Sequence, residues 1–387
     1  MTHRRPTLAP LVFSLLLLFS RTASGQDTSI VAGKRIVIHS NILNEDRELR
    51  IATPASYDSA NDPYPVLFVL DGESHFLYTA GVARYLALYG AAPEMIVVGV
   101  SNVDRVRDYT PSPSAKTPER YPNAGGSERY LRFIREEAVP YMEKNYRTMP
   151  YRVLAGHSLG GLCVMSCLAS DPDLFSAYVA ISPSIGWNDR ELFPRIEELL
   201  RGPKSLKKFV FLSCANEGPS ANRDLYDLKN VFDRAAIEGL VVEIRTYPEE
   251  SHGSSAIVAT SNALSGIFAG WVLSEGEVTS GGLEGVKRHY EELAFRLGFA
   301  VAIPEQTINR AGYAMLAAKK FTRAIELFQY NVERHPESWN VYDSLAEAYM
   351  KRGDERLAAE NYEKSLQLNP DNANARQMLE RLKQPGR

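Results

Sequence analysis

Short apolar runs rich in β-branched residues alternate with helical patterns between residues 66 and 247. The runs are continuous rather than alternating in polarity, so they predict strands that are buried on both faces. Helical patterns, such as the one over 127–146, lie between them. This alternation predicts an α/β fold with a mostly parallel sheet and helices on both faces. The predicted strands are 66–70, 95–100, 153–155, 178–181, 209–212 and 241–247.

A G-x-S-x-G motif, Gly156 to Gly160, stands between one of these strands and the helix that follows it. The two glycines leave room for the sharp turn that such a serine needs. The turn presents the hydroxyl at a helix N-terminus, where backbone amides stabilise negative charge. The motif predicts Ser158 as a nucleophile in an α/β-hydrolase fold, against the alternative of a glycine-rich connection without catalysis.

A serine hydroxyl becomes a good nucleophile only when a base takes its proton, which a histidine usually does. The chain has seven histidines, and in this fold the order along the chain is serine, acid, histidine. We therefore predict His252, in the loop after the last predicted strand, as the base. His75 follows an early strand, where it can line the mouth of the site. The other five lie in the leader, an early strand, the elbow itself and later helices: His3, His39, His157, His289 and His335.

The acid that orients this histidine should follow the strand before it. Glu217 is the first carboxylate after that strand and is the predicted acid. Asp224 and Asp227 are rivals a little further along. We interpret Glu249 and Glu250 as solvated loop charges.

A tetrahedral intermediate needs two amide donors for its oxyanion. The N–H of Leu159, directly after the nucleophile, supplies one. The second is predicted in the turn after the strand 66–70, at Gly72 or Glu73, because that turn faces the same crevice.

The segment 273–285 is rich in Gly, Ser and Glu and marks a domain boundary. Beyond it similar residues recur every 34 positions, which resembles two tetratricopeptide repeats over 303–371 and a closing helix at 373–382. The predicted domains are 26–274, a connecting segment 275–302, and repeats over 303–387. Two repeats imply a concave surface that binds a protein or peptide or pairs two copies of the chain. The repeated pairs are Gly312 and Ala346, Met315 and Tyr349, Ala324 and Ala358, Phe328 and Tyr362, and Pro336 and Pro370.

The first 25 residues have the order of a secretory signal: arginines, an apolar run over 11–19, and small residues before Gln26. We expect an exported protein, periplasmic or secreted. Cleavage removes three arginines and no acids, which changes the net charge from -3 to -6 and argues against nucleic acid as a partner. No later stretch is apolar enough for a membrane span, and three cysteines do not suggest a disulfide framework.

Four segments of the chain resemble the esterase family that includes esterase D, feruloyl esterases, enterochelin-type siderophore esterases and the antigen 85 mycolyltransferases. The resemblance covers roughly residues 35 to 272. It implies ester hydrolysis through an acyl-enzyme, a small-molecule ester substrate, no metal and no organic cofactor. Those segments are 64–73 (YPVLFVLDGE), 146–148 (YRT), 156–161 (GHSLGG) and 181–184 (ISPS).

The segment 104–111 is most similar to the siderophore-esterase branch, whose substrates are polyanionic. Arg105 is therefore a candidate for the substrate pocket, although Arg105 and Arg107 also fit a salt-bridged loop. Trp187 is a candidate wall of the acyl pocket or an ordinary packing residue. Siderophore lactones, sugar esters and small acyl or aryl esters all remain open as substrates. Acyl transfer by the same triad, or repeat-mediated binding with an inert hydrolase domain, are the alternatives to hydrolysis.

Overall fold

The computed structural model describes residues 30–202, 204–273 and 275–383, without the side chains of residues 275 and 278–280. The described residues form one eight-stranded sheet in the order β1-β2-β4-β3-β5-β6-β7-β8. The first two strands run antiparallel to their neighbours, and β3 to β8 are parallel. The strands are β1 Lys34–Ser40, β2 Glu45–Ala52, β3 Tyr64–Leu70, β4 Ile96–Val100, β5 Thr148–His157, β6 Ala177–Ile181, β7 Ser205–Ala215 and β8 Glu238–Tyr247.

Helices cover both faces of this sheet, as the alternating pattern predicts. Every residue of β3, β4 and β6 is buried, which confirms that continuous apolar runs form strands covered on both sides. The helices of this part are α1 Gly72–Leu88, α2 Arg105–Tyr109, α3 Ser127–Phe133, α4 Val139–Asn145, α5 Leu159–Ser170, α6 Leu192–Arg201, α7 Pro219–Ala235 and α8 Ser255–Ile267.

The segment 127–146, predicted as one helix, contains a wider turn. A π-helical turn, Ile134–Ala138, joins α3 to α4. Pro140 lies in the first turn of α4 and has no N–H to donate to the turn before it. A π-type turn accommodates this missing hydrogen bond without ending the helix.

The C-terminal helices are α9 Glu275–Leu297, α10 Glu305–Ala317, α11 Phe321–Arg334, α12 Trp339–Arg352, α13 Glu355–Leu368 and α14 Ala373–Leu382. The helices α10, α12 and α14 begin at residues 305, 339 and 373, and α11 and α13 begin at 321 and 355. Every interval is 34 residues, which confirms the predicted repeat. A Cβ atom on Gly312 would lie 2.4 Å from the ring of Phe328, so these paired helices need glycine where they touch.

The segment 273–285, predicted as a domain boundary, is largely helical, with a break in α9 at Gly282 (φ 57°, ψ −152°). The apolar core on one face of the sheet continues into the repeats. At this junction the ring of Tyr151 on β5 packs against Phe268 and Phe299, at centroid distances of 5.9 and 5.1 Å. The predicted domain limits remain predictions.

The predicted leader, residues 1–25, lies outside the described residues. In the part of the chain that is described, no helix combines the length and the apolarity that crossing a bilayer requires. Cys163, Cys167 and Cys214 are buried and free.

Candidate active site

Ser158 lies at a strained turn between β5 and α5, with φ 62° and ψ −118°. A Cβ atom on Gly156 would lie 2.5 Å from the backbone carbonyl of Gly160, so a side chain there would collide with the helix. The Ser158 N–H donates to the carbonyl oxygen of Ile181 at the end of β6 (2.9 Å). The glycines thus permit the turn, and the neighbouring strand holds it.

The structure brings His252 and Glu217 together. The imidazole Nδ1 lies 2.8 Å from Glu217 Oε1. Burial acts to raise the pKa of Glu217, but the hydrogen bond from His252 and the charge of that imidazole outweigh it, and the pKa is lowered. The ionised carboxylate accepts a hydrogen bond from the Nδ1–H of the imidazole. The lone pair of Nε2 is then free to accept a proton.

The loops that carry these two residues are joined through their backbones. The N–H of Asn216 donates to the carbonyl oxygen of Glu250 (2.9 Å). Glu250 therefore contributes a main-chain contact beside the predicted base, which its interpretation as a solvated loop charge did not include.

The rival acids face another partner. Arg190 binds Asp224 through Nη2 (2.5 Å) and Asp227 through Nη1 (2.8 Å). The guanidinium therefore holds both carboxylates, whereas Glu217 binds the imidazole.

Two helices begin at the carboxyl edge of the sheet, and their first amides are the predicted oxyanion donors. Asp71, the residue before α1, has a left-handed backbone (φ 53°, ψ 49°). Its carbonyl oxygen accepts from the third and fourth amides of α1 (2.9 Å each), so the amides of Gly72 and Glu73 remain at the open end of the helix. A Cβ atom on Gly72 would lie 2.5 Å from the backbone carbon of Gly99, so this turn packs tightly on β4. The Leu159 amide occupies the equivalent position on α5.

His157, which sequence reasoning interpreted as a packing residue, contacts the predicted base. Its Nε2 lies 2.7 Å from the carbonyl oxygen of His252, and the two ring centroids are 4.4 Å apart. The ring of His75 also lies near it, with the centroids 5.6 Å apart. Burial first, and then the charge of His252, lower the pKa of His157 to about 4. The imidazole is neutral at ordinary pH, and its Nε2–H donates to the His252 carbonyl.

The loop 102–127 is attached to the segment that follows β6. The ring of Trp187 lies 5.5 Å from that of Tyr121 in this loop. Asn188 Oδ1 accepts from the N–H of Ala115 (2.9 Å). Three successive residues, 188–190, have positive φ angles of 44°, 54° and 69°, so the chain is bent sharply where the loop is held. Trp187 therefore contacts the loop, and its assignment to an acyl pocket remains a prediction.

Arg105 lies at the site, with its guanidinium bound to protein groups. It pairs with the Asp71 carboxylate and donates to the carbonyl oxygen of His157 (3.1 Å). Arg107 pairs with Glu45 and Asp108 and is part of a separate ionic cluster. Both arginines are thus salt-bridged, one of the two interpretations that the sequence leaves open. The assignment of Arg105 to the substrate pocket remains a prediction.

Residues 40–206 match a family described as "Putative esterase", and residues 339–372 match a tetratricopeptide repeat. The ferri-bacillibactin esterase BesA of Bacillus subtilis is 30% identical over 227 residues, which cover 52% of this chain and 78% of that protein. The IroE-like serine hydrolase of Shewanella oneidensis is 28% identical with a TM-score of 0.67, covering 78% of this chain and 99% of that structure.

An uncharacterised protein from Capnocytophaga ochracea, 21% identical with a TM-score of 0.64, shares the fold over 90% of this chain and 98% of its own. These likenesses confirm the α/β-hydrolase fold with C-terminal helical repeats that the sequence predicts. The chain belongs to this esterase family as a member that carries tetratricopeptide repeats, and it is an ester-hydrolysing enzyme.

Proposed function

We propose that the enzyme is a serine carboxylic-ester hydrolase in which Ser158 is the nucleophile, His252 the general base and Glu217 the acid that orients it. The contact of 2.8 Å between His252 Nδ1 and Glu217 Oε1, on loops beside the nucleophile turn, carries this proposal. This contact joins a histidine and a carboxylate that are 35 positions apart in the sequence. A histidine paired with a carboxylate in this way can act as the base that deprotonates a serine.

The reaction begins when Ser158 Oγ attacks the ester carbonyl and His252 Nε2 takes its proton. The amide of Leu159 and an amide of Gly72 or Glu73 bind the oxyanion of the tetrahedral intermediate. His252 then gives the proton to the departing alcohol, and the acyl group stays on Ser158. Water, deprotonated by the same imidazole, attacks the acyl-enzyme and releases the acid.

Hydrolysis is favoured over acyl transfer by the exposure of the base. The His252 side chain is 47% exposed, so water can reach the side of the acyl-enzyme on which the second attack takes place. An acyltransferase gains from a closed site that excludes water.

A siderophore-type ester is the substrate class that the relatives favour. BesA is named a ferri-bacillibactin esterase, and an Aspergillus fumigatus protein that is 32% identical over 163 residues is named a siderophore triacetylfusarinine C esterase. The paired rings of Tyr121 and Trp187 provide an apolar wall for an aryl or acyl group, so small acyl and aryl esters are the second class.

We further propose that the protein is exported, because the first 25 residues have the order of a secretory signal. Sequencing the N-terminus of the mature protein tests this. We expect it to begin at Gln26.

A fluorophosphonate probe tests the mechanism. We expect it to label the purified protein at Ser158, and Ser158→Ala to lose both labelling and turnover of p-nitrophenyl acetate. Ser170→Ala, at the far end of α5, is the matched control and should retain both, because its hydroxyl donates to the carbonyl oxygen of Ser166 in the same helix. Turnover that persists in Ser158→Ala would exclude the mechanism. A panel of siderophores and p-nitrophenyl esters of increasing chain length then separates the substrate classes.

A further inference from the structure

The guanidinium of Arg105 connects two parts of the site that come from different strands. Its Nε and Nη2 bind the two carboxylate oxygens of Asp71, at 2.8 and 3.1 Å. Nη2 also donates to the carbonyl oxygen of His157, the residue before the nucleophile (3.1 Å). One planar group therefore spans the turn after β3 and the turn after β5.

Asp71 is held from several directions. Its N–H donates to the hydroxyl of Tyr109 (2.8 Å), which lies on α2 four residues after Arg105. Asn102 Nδ2 donates to Asp71 Oδ1 (2.8 Å) and to Glu73 Oε1 (3.0 Å). These contacts fix a residue with a left-handed backbone directly before Gly72. A left-handed backbone costs a non-glycine residue energy, so it persists only where the surroundings hold it.

The Asp71 carboxylate lies against the first turn of α5. A Cβ atom on Gly160 would be 3.3 Å from Asp71 Oδ2. The carboxylate is buried, and it lies beside the helix end whose first amide, that of Leu159, is a proposed oxyanion donor. An uncompensated negative charge there would oppose the developing oxyanion, since both charges would share a site of low dielectric constant.

We propose that Arg105 is a positioning residue of the oxyanion hole. It fixes the turn that carries Gly72 and Glu73 relative to the turn that carries Ser158 and Leu159, and it neutralises Asp71. The inference rests on the proposed function, because it presupposes an oxyanion that forms on Ser158. It gives Arg105 a part in catalysis that does not require contact with the substrate.

Arg107 provides a matched control on the same short helix. The side chains of Arg105 and Arg107 are 35% and 34% exposed, and each forms ion pairs with carboxylates. Arg107 binds Glu45 and Asp108, away from the two turns. The same substitution at both positions therefore separates loss of an ion pair from loss of the connection between the turns.

The experiment compares Arg105→Ala, Arg105→Lys and Arg107→Ala. Each variant is assayed with two esters of similar size, neutral p-nitrophenyl butyrate and the anionic mono-p-nitrophenyl ester of succinate. Each is also tested against an alkyl trifluoromethyl ketone, which forms a tetrahedral oxyanion adduct with a serine. Fluorophosphonate labelling of wild type at Ser158 is measured first. Absence of that label would refute the proposed function, whatever the effect of the Arg105 variants.

We expect Arg105→Ala to lower kcat by about 10- to 100-fold for both esters, somewhat less than complete removal of an oxyanion donor, with KM within about twofold. The inhibition constant of the ketone should rise by a similar factor, since the adduct resembles the transition state. Millimolar guanidinium should restore part of the activity of Arg105→Ala. Arg105→Lys should also lose kcat, because an ammonium cannot bind two carboxylate oxygens and a carbonyl in one plane. The Arg105→Lys variant provides the test if Arg105→Ala does not fold. Arg107→Ala should resemble wild type.

Three results would overturn the proposal. The first is a rise in KM for the anionic ester alone, which would make Arg105 a substrate-binding residue. The second is an equal loss of kcat in the Arg105 and Arg107 variants, which would mean that the effect comes from a general loss of stability. The third is an unchanged inhibition constant for the ketone in a variant whose kcat has fallen.

Discussion

The stability of the protein should depend on pH through His157, and His157→Gln should remove that dependence. Burial and the neighbouring charge of His252 lower the pKa of His157 from 6.5 to about 4. As the pH falls from 6.5 to 4, the unfolded chain binds a proton at this residue and the folded chain does not. Protonation therefore favours the unfolded state, and the free energy of unfolding falls as the pH falls.

The size of this effect follows from the difference between the two pKa values. At 1.36 kcal/mol for each pKa unit, His157 accounts for about 3 kcal/mol of stability lost between pH 6.5 and 4. The groups that act on it are His252, His75 and Arg105, and all three remain in the variant. A glutamine amide can still donate to the His252 carbonyl, but it does not titrate.

Urea unfolding of wild type and His157→Gln at several pH values between 4 and 8 measures this contribution. Titratable groups that do not interact with His157 cancel in the difference between the two curves. We expect the free energy of unfolding of wild type, measured relative to that of His157→Gln, to fall by about 2 to 3 kcal/mol as the pH is lowered to 4. Ser170→Ala, which changes no titratable group, is the control and should give a curve parallel to wild type. Parallel curves for His157→Gln would refute the reasoning.

Three further substitutions test other parts of the structure. Gly312→Ala places a Cβ atom 2.4 Å from the ring of Phe328 and should lower the stability of the repeats by about 1 to 3 kcal/mol, measured by thermal unfolding; an unchanged Tm would contradict this helix packing. Asp108→Ala removes one of the two carboxylates that pair with the fully buried Arg47 (2.6 Å) and leaves Glu45 as the other, so it should cost about 3 kcal/mol in urea unfolding; a loss below about 1 kcal/mol would mean that solvent reaches the pair. Glu217→Gln should lower kcat by about 10³- to 10⁴-fold at neutral pH with little change in fold, and a loss below tenfold would argue for another acid.

Local patterns in the sequence were sufficient for the six parallel strands and the helical repeats, but not for strand β2 or the π-helical turn at Ile134–Ala138. Continuous apolar runs predict strands buried on both faces because side-chain burial follows directly from position in a covered sheet. The interval of 34 residues predicts the repeats because each helix pair must present small residues at the same contacts. The G-x-S-x-G spacing predicts the turn at Ser158, since only glycine fits where the chain approaches itself at 2.5 Å.

The sequence alone was less decisive where the partners are far apart along the chain. Glu217, Asp224 and Asp227 follow the same strand, and the sequence only ranked them. The fold separates them because Arg190 holds two and leaves Glu217 to His252. The segment 273–285 was predicted as a domain boundary from its Gly, Ser and Glu content; residues 275–285 belong to α9, with a break at Gly282, and the domain limits stay a prediction.

The sequence by itself determined the six parallel strands, the nucleophile turn and the repeat, because each is encoded in a short local motif or in a periodic pattern. Only the tertiary structure decided that Arg105 reaches Asp71, 34 residues away, and that His157 reaches the carbonyl of His252, 95 residues away. Such contacts depend on the paths of whole loops over the sheet edge. Periodicity and spacing carry no information about those paths.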